Sequence, residues 1–393
     1  MKILMAHNRY QNRGGEDESF DSESRLLERY GHKVIRYIKH NDSISKDSIF
    51  KVAIRTLWSV EDYKSIRALI QREKPDLLHV QNHFPLISPA IYYAAQKENI
   101  PVIQTLRNYR LFCLNAYLFR QGNICEDCLG QAVPLSGIQH KCYRNSTAGS
   151  IVISSSIALH RLLKTYIRKV DLFIALTEFA KQKYAENGIP KHKIVLKSNF
   201  VDPDPKIGMG NDNFVLFVGR LSPEKGISTL LSAWKQLGDY IPLRIIGSGP
   251  LEAEVREAAS KHVGIEYLGP RPVREVQEIM GQAKALIFPS LWYEGMPRVI
   301  IEAFAKGTPV ISSKLGAMTT MVTHQKTGLH FCVGNTKDLI KQTHWMFEHP
   351  KQWQKMRLLA RHQFEVNYNA ESSYRRLIEI YNQAIKSPKQ AFL

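Results

Sequence analysis

No stretch of this 393-residue chain approaches the roughly 18–20 continuous apolar residues that a membrane-spanning helix needs, which excludes an integral helical protein. The opening MKILMAH is too short for a secretory signal and reads as a first strand. No short-period repeat or low-complexity tract interrupts the chain, and no recognisable nucleic-acid module is present. Acidic residues are scarce beside basic ones, 36 against 54, for a net charge of +18. The imbalance is steeper in residues 1–200, with 30 Lys/Arg against 18 Asp/Glu. Such a field attracts an anionic membrane, a nucleic acid or a phosphorylated substrate. The expected location is the cytoplasm, with the inner face of the plasma membrane within reach.

What the chain does have is a repeated alternation of short apolar runs and longer helical patterns. The expected strands of the first half are 2–7, 33–38, 76–81, 101–106, 171–176 and 194–197. Those of the second half are 214–218, 243–246, 265–268, 285–289, 310–312 and 328–332. Near-continuous apolar strands separated by helices predict parallel sheets covered on both faces. The segment 201–213, VDPDPKIGMGNDN, is a linker by composition. The expected architecture is α/β: a Rossmann-like domain over 1–200, the linker 201–213, and a second Rossmann-like domain over 214–370. A helix and tail over 371–393 follow, with the helix crossing back to the first domain. The two doubly wound domains are expected to face each other across a cleft.

The richest stretch is SLWYEGMPRVIIEAFAKGTPVIS, residues 290–312. Glu294 lies in a Gly/Pro-containing turn at the carboxyl end of a strand, where open α/β sheets bind ligands. Glu302 falls more than a turn into an apolar helical pattern, with Pro297 in the first helical turn. A loop carboxylate accepts hydrogen bonds from sugar hydroxyls, and a helix carboxylate clamps the vicinal hydroxyls of a ribose. Upstream, FVGRLSPEKG places Arg220 and Lys225 after a strand and before a helix. A guanidinium fork, a mobile ammonium and a helix N-terminus together suit a diphosphate. Gly247 and Gly249 permit close backbone approach after the next strand, and Leu268-Gly269-Pro270-Arg271 ends a third.

In the first half, Arg13-Gly14-Gly15 follows strand one, where paired glycines let backbone N–H groups approach a phosphate or sugar. Strand three ends in Gln81-Asn82-His83 and strand four in Arg107-Asn108. Both ends are expected to face the cleft. His83 is either an acceptor-binding residue or a hydrogen-bonded loop histidine.

Taken in order, Gly14-Gly15, Arg220…Lys225, Gly247-Ser248-Gly249, Glu294-Gly295-Met296-Pro297 and Glu302 resemble glycosyltransferase family 4, retaining enzymes of the GT-B fold. The resemblance spans essentially the whole chain. RGGEDES, HVQNHFPLISPA, QTLRNYRLFC and CEDCLG resemble a subgroup associated with bacterial surface-polysaccharide assembly. The resemblance implies a hexosyltransferase-like enzyme with a nucleotide-sugar donor and a glycan or lipid-linked acceptor. It implies that Glu302 holds the ribose, that Glu294 holds the transferred sugar, and that Arg220 and Lys225 stabilise the diphosphate as the glycosidic bond breaks. It implies no cofactor for catalysis and no nucleophilic carboxylate. Arg271 with Gly269 is placed where the base is read. One position departs from the family: Arg107 stands where many relatives carry His in T-L-H-N. Arginine cannot act as a neutral acceptor there, but adds a third cation for the diphosphate.

Cys113, Cys125, Cys128 and Cys142 crowd into 30 residues. They are either a structural zinc site, with His140 as a rival ligand, or four unrelated reduced thiols. Asp202-Pro203-Asp204 matches a metal-binding D-x-D superficially and reads as a turn. Residues 151–169 combine apolar and basic positions, a pattern that suits packing on the sheet with a basic face turned to a membrane. Two rivals remain at this stage: a nucleotide-sugar epimerase on the same fold, and a nucleic-acid-binding protein suggested only by the charge. No nucleic-acid partner is expected.

Overall fold

A computed structural model describes residues 1–11, 14–42 and 49–386. Arg13 and the tail beyond 386 lie outside the described residues. By contacts the chain divides into two compact units. One comprises residues 1–118, 126–198 and the chain from Ser373 onward; the other comprises 119–125 and 199–372.

The first unit is built on β1 (Lys2–Arg9), β2 (Lys33–His40), β3 (Leu77–Asn82) and β4 (Val102–Leu106). A short antiparallel hairpin follows, β5 (Phe119–Arg120) and β6 (Asn123–Ile124), which groups with the second unit. The first sheet is then completed by β7 (Leu172–Ala175) and β8 (Ile194–Leu196). Its order is β2-β1-β3-β4-β7-β8, all parallel. Strands β3, β4 and β7 are buried along their whole length, which is why they read as unbroken apolar runs. Edge strand β2 alternates between exposed and partly buried residues instead.

The second unit carries β9 (Val215–Val218), β10 (Leu243–Ile246), β11 (Ile265–Gly269), β12 (Ala285–Phe288), β13 (Val310–Ser313) and β14 (Gly328–Phe331). The order is β11-β10-β9-β12-β13-β14, again all parallel. All twelve expected strands are therefore present within a residue or two of their expected ends. In this sheet the chain runs from β9 outward to β10 and β11, then returns to place β12 on the other side of β9. The strand order reverses between β9 and β12, the place where open α/β sheets take a ligand. In the first sheet the reversal lies between β1 and β3.

The helix Ala370–Lys386 buries Leu377, Ile380, Tyr381 and Ala384 in the first unit's core, beside Ile3, Met5, Leu77 and Ile103. Each fully buried large aliphatic side chain stabilises by roughly 1.5–3 kcal/mol. The apolar and basic stretch 151–169 falls across two helices, Thr147–Leu162 and Thr165–Lys169. Lys164 between them takes a left-handed conformation, φ 51°. The Thr165 hydroxyl is tied to His160 Nδ1 at 3.0 Å and to the Tyr93 hydroxyl at 2.8 Å, which holds the break.

Candidate functional site

Three loops at the carboxyl end of the second sheet are laced together by backbone. Gly219 N–H donates to Ile246 O at 3.1 Å, Leu221 N–H to Ser248 O at 2.9 Å, and Gly247 N–H to Gly269 O at 3.1 Å. A Cβ at Gly247 would fall 1.9 Å from Gly219 O, so glycine is what lets the loops after β9 and β10 touch. Gly226, φ 74°, closes the turn Pro223–Lys225; a Cβ there would meet Pro289 O at 1.9 Å. That contact brings the turn bearing Lys225 against the end of β12.

Lys225 Nζ consequently reaches Glu294 Oε1 at 2.6 Å. The same oxygen accepts from Ser290 Oγ and from Trp292 Nε1, each at 2.8 Å. Three donors thus converge on one oxygen of a side chain that is only 6% exposed. Lys225 also lies 5.3 Å from the centre of the Trp292 ring, within cation–π range. Ser290 and Trp292 were not singled out from the sequence. Their neighbourhood to Glu294 in SLWYEG was the available signal.

Pro297 is the N-cap of the helix Arg298–Ala305 rather than a residue of its first turn. Glu302 lies five residues further and is partly buried, with Arg298 Nε 3.7 Å from its Oε1. Buried Met296 accepts a hydrogen bond at Sδ from Asn199 N–H at 3.1 Å, which pins the Gly295-Met296-Pro297 turn. Arg220 is exposed at the end of β9. Arg271 is exposed too, its Nε donating to Leu268 O at 2.9 Å and its Nη1 3.6 Å from Glu275. The second unit thus gathers Lys225, Glu294 and the glycine loops at the β9/β12 reversal, and ties Arg271 back to its own turn. Asp204 forms a two-point pair with Arg361 at 2.8 and 2.6 Å, which holds its carboxyl below the usual range and fits the turn reading.

In the first unit, Gly14 is the N-cap of the helix Gly15–Arg29, whose first turn carries Glu16, Asp17 and Glu18. Gly14 N–H donates to Asp17 Oδ2 at 3.1 Å, and Asp17 Oδ1 meets His7 Nε2 at 2.8 Å. Three acids already complement this helix terminus. They favour a sugar hydroxyl over a phosphate at Gly14-Gly15. Glu16 accepts from Asn108 Nδ2 at 2.8 Å and from the Tyr10 hydroxyl at 3.1 Å.

Asn82, His83, Arg107 and Asn108 do come together, around a recess of about 20 Å³. Their tasks differ from a shared binding role. Asn82 donates to Asn8 O at 3.0 Å and receives Phe84 N–H, also at 3.0 Å. His83 Nδ1 is bonded to the Tyr92 hydroxyl at 3.0 Å, and burial pushes its pKa down to about 3. Of the two readings of His83, the hydrogen-bonded loop histidine is the one this geometry supports. Arg107 is turned onto strand β3: Nε and Nη2 both donate to Gln81 Oε1, at 2.8 and 2.6 Å.

Behind Arg107 lies a buried network the sequence did not disclose. Gln81 Nε2 donates to Glu23 Oε1 at 2.6 Å, and Lys197 Nζ to Glu23 Oε2 at 2.7 Å. Burial acts to raise the Glu23 pKa, but Lys197, His79 and Arg107 together hold it down at about 2. His79, bonded to the Tyr381 and Thr105 hydroxyls at 2.8 Å each, is pushed down to about 4 by burial. No local pattern marks Glu23, since its partners lie 58 and 174 residues away.

Among the described residues no group of three or more His, Cys, Asp or Glu is placed to hold a metal ion. Cys113 Sγ instead donates to Asn115 Oδ1 at 2.9 Å, and Cys125 groups with the other unit. Among the described residues no helix is long and apolar enough to cross a membrane.

Two protein families match the chain in sequence: "Glycosyl transferase 4-like domain" over residues 50–199 and "Glycosyl transferases group 1" over residues 204–363. An uncharacterized 42.6 kDa protein in the cps region of Klebsiella pneumoniae is 26% identical over 276 residues, 67% of this chain and 64% of that one. The amylovoran biosynthesis glycosyltransferase AmsK of Erwinia amylovora is 25% identical over 226 residues, 53% of this chain and 56% of that one. The chain thus spans a little over half to just under two thirds of these curated relatives. In three dimensions it is similar to the Anabaena protein HepE, crystallised with UDP: TM-score 0.69 at 15% identity, covering 98% of this chain and all of that one. That likeness shows the GT-B fold.

Proposed function

For this chain, which belongs to the glycosyltransferases that join a 4-like domain to a group 1 domain, we propose transfer of a sugar from a nucleoside-diphosphate donor to a hydroxyl of a bacterial surface glycan. The observation that carries the reading is the Lys225–Glu294 contact at the strand-order reversal of the second sheet. There an ammonium and a carboxylate meet on the edge where an α/β sheet takes a nucleotide. The amylovoran relative and the UDP held by HepE support the polysaccharide and the nucleotide parts of the reading.

In the proposed mechanism Glu302 holds the ribose hydroxyls. Arg220 and Lys225 receive the charge that develops on the diphosphate as the glycosidic bond breaks. Glu294 accepts hydrogen bonds from hydroxyls of the transferred sugar, and its bond to Lys225 fixes that ammonium before substrate arrives. No carboxylate attacks the sugar; the acceptor hydroxyl enters on the face the diphosphate leaves and passes its proton to the departing phosphate oxygen, so configuration is retained. No divalent metal is required, because the cations that meet the diphosphate are side chains. The acceptor is lipid-linked, and the protein works at the inner membrane surface, drawn there by its basic first half.

The test is calorimetry with UDP, GDP and ADP, followed by transfer assays with the matching nucleotide sugars and NMR of the product's anomeric proton. Binding of one nucleotide and retained configuration are expected. An inverted product overturns the stereochemical reading, and no binding of any nucleotide overturns the donor site. Turnover of donor without acceptor revives the epimerase.

A further inference from the structure

A second recess lies in the first unit, with a volume of about 380 Å³. Its apolar wall includes Phe112, Tyr166, Ile167 and Ile189, and its cations are Arg161 and Lys164. None of the residues assigned to donor or acceptor lines it. The volume is within the range of small-molecule pockets.

A buried, unpartnered guanidinium nitrogen and a set of exposed apolar side chains mark it. Arg161 Nη2 is shut off from solvent without a hydrogen-bond partner, an arrangement native proteins rarely leave unanswered. No ion pair joins Arg161 or Lys164 to a carboxylate among the described residues; Glu186, also on the lining, is 3.7 Å from Lys183 and accepts from Gln182 at 2.8 Å. Burial also lowers the Arg161 pKa, a cost that an anion beside it would offset. Leu162 and Leu163, which stand between the two cations in sequence, are 81% and 42% exposed. Val133 and Leu135, next to lining residue Ala132, are exposed as well. Cations set among exposed apolar side chains fit the interface of an anionic bilayer, where phosphate and acyl chain lie side by side.

We propose that this pocket seats the phosphate of an anionic phospholipid on Arg161 and Lys164, while Leu162 and Leu163 enter the apolar margin of the bilayer. The inference rests on the membrane reading above and deepens it by naming the contact. A soluble phosphate shares the head-group chemistry but gains nothing from the leucines.

The experiment sediments the full chain with phosphatidylcholine vesicles, with and without phosphatidylglycerol. Arg161→Gln/Lys164→Gln is expected to weaken binding to the anionic vesicles on the order of tenfold, since each cation near such a surface matters. Lys351→Gln/Lys355→Gln removes the same charge from exposed lysines of the second unit and is expected to stay within about twofold. Leu162→Ser/Leu163→Ser should weaken binding with thermal stability unchanged. Lys164→Gln alone, at an exposed position, serves if the Arg161 variant fails to fold. Equal losses in the two charge pairs, or none in the pocket variants, overturn the proposal. So does inorganic phosphate that binds the lipid-free protein as tightly as the vesicles do. Because the assay reads no transfer, failure here with intact transfer sinks this inference alone. Vesicle binding without nucleotide binding sinks the donor site alone.

Discussion

Lys225 and Glu294 belong to loops 69 residues apart and meet at 2.6 Å, on an oxygen that also receives Ser290 and Trp292. The ammonium is held by a group that survives its removal. Lys225→Ala leaves Glu294 Oε1 with two donors, so the fold should persist. Nucleoside-diphosphate affinity should fall by roughly 1.5–3 kcal/mol, the usual loss for one charge-assisted contact. Glu302→Ala should lose a similar amount. Calorimetry checks both, and unchanged affinity in the pair would move the donor elsewhere.

Gly226→Ala tests the turn that delivers Lys225. The substitution meets a left-handed φ and a backbone oxygen at 1.9 Å. The conformation alone costs roughly 1–2 kcal/mol, and the clash adds to it. The melting temperature should drop, and nucleotide binding should weaken beyond the loss in Lys225→Ala. A variant with wild-type melting and binding would show that the turn accommodates the methyl group.

Arg107 is held on Gln81 rather than extended. On the proposed donor reading, a permanent cation at this strand end would strengthen attraction for the diphosphate in donor and product alike, which would not speed the chemical step. Arg107→His should bind nucleoside diphosphate more weakly and transfer sugar at least as fast. Abolished transfer would make the arginine itself catalytic. Unchanged binding and rate would remove it from the donor.

The buried network around Glu23 makes stability depend on pH. Its folded pKa, about 2, lies below the ordinary 4.5, so its contribution is complete above that value and is lost as pH falls toward 2. The neutral, buried His79 acts in the same sense between 6.5 and about 4, where the unfolded chain takes up the proton first. Urea midpoints should therefore fall steadily from pH 7 to pH 3. Glu23→Gln should flatten the lower part of that curve, with on the order of 3 kcal/mol at stake at neutral pH. A variant curve parallel to the wild type would exclude Glu23 as the source.

The cysteines give a complementary test. Cys125→Ser should leave the melting temperature within a degree or two, where loss of a structural zinc ligand would cost far more. Elemental analysis of the purified chain reports the metal directly, and about one zinc per chain would restore the closed site.

The twelve sheet strands were legible in the sequence because a parallel strand buried on both faces has to be apolar along its length, as in LLHVQN and VIQTL. The spacing of Glu294, Pro297 and Glu302 was legible for a similar reason: a strand end, a loop and a helix start lie within one local stretch. The tertiary structure alone decided that Glu23 meets Lys197 across 174 residues and that Tyr381 closes on His79 across 302. It also decided that three acids crowd the glycine turn after β1 and that Arg107 folds back on Gln81. Local periodicity reports which face of an element avoids water. Which polar side chains meet is set by the crossing of distant elements, and one chain's local pattern carries no record of that.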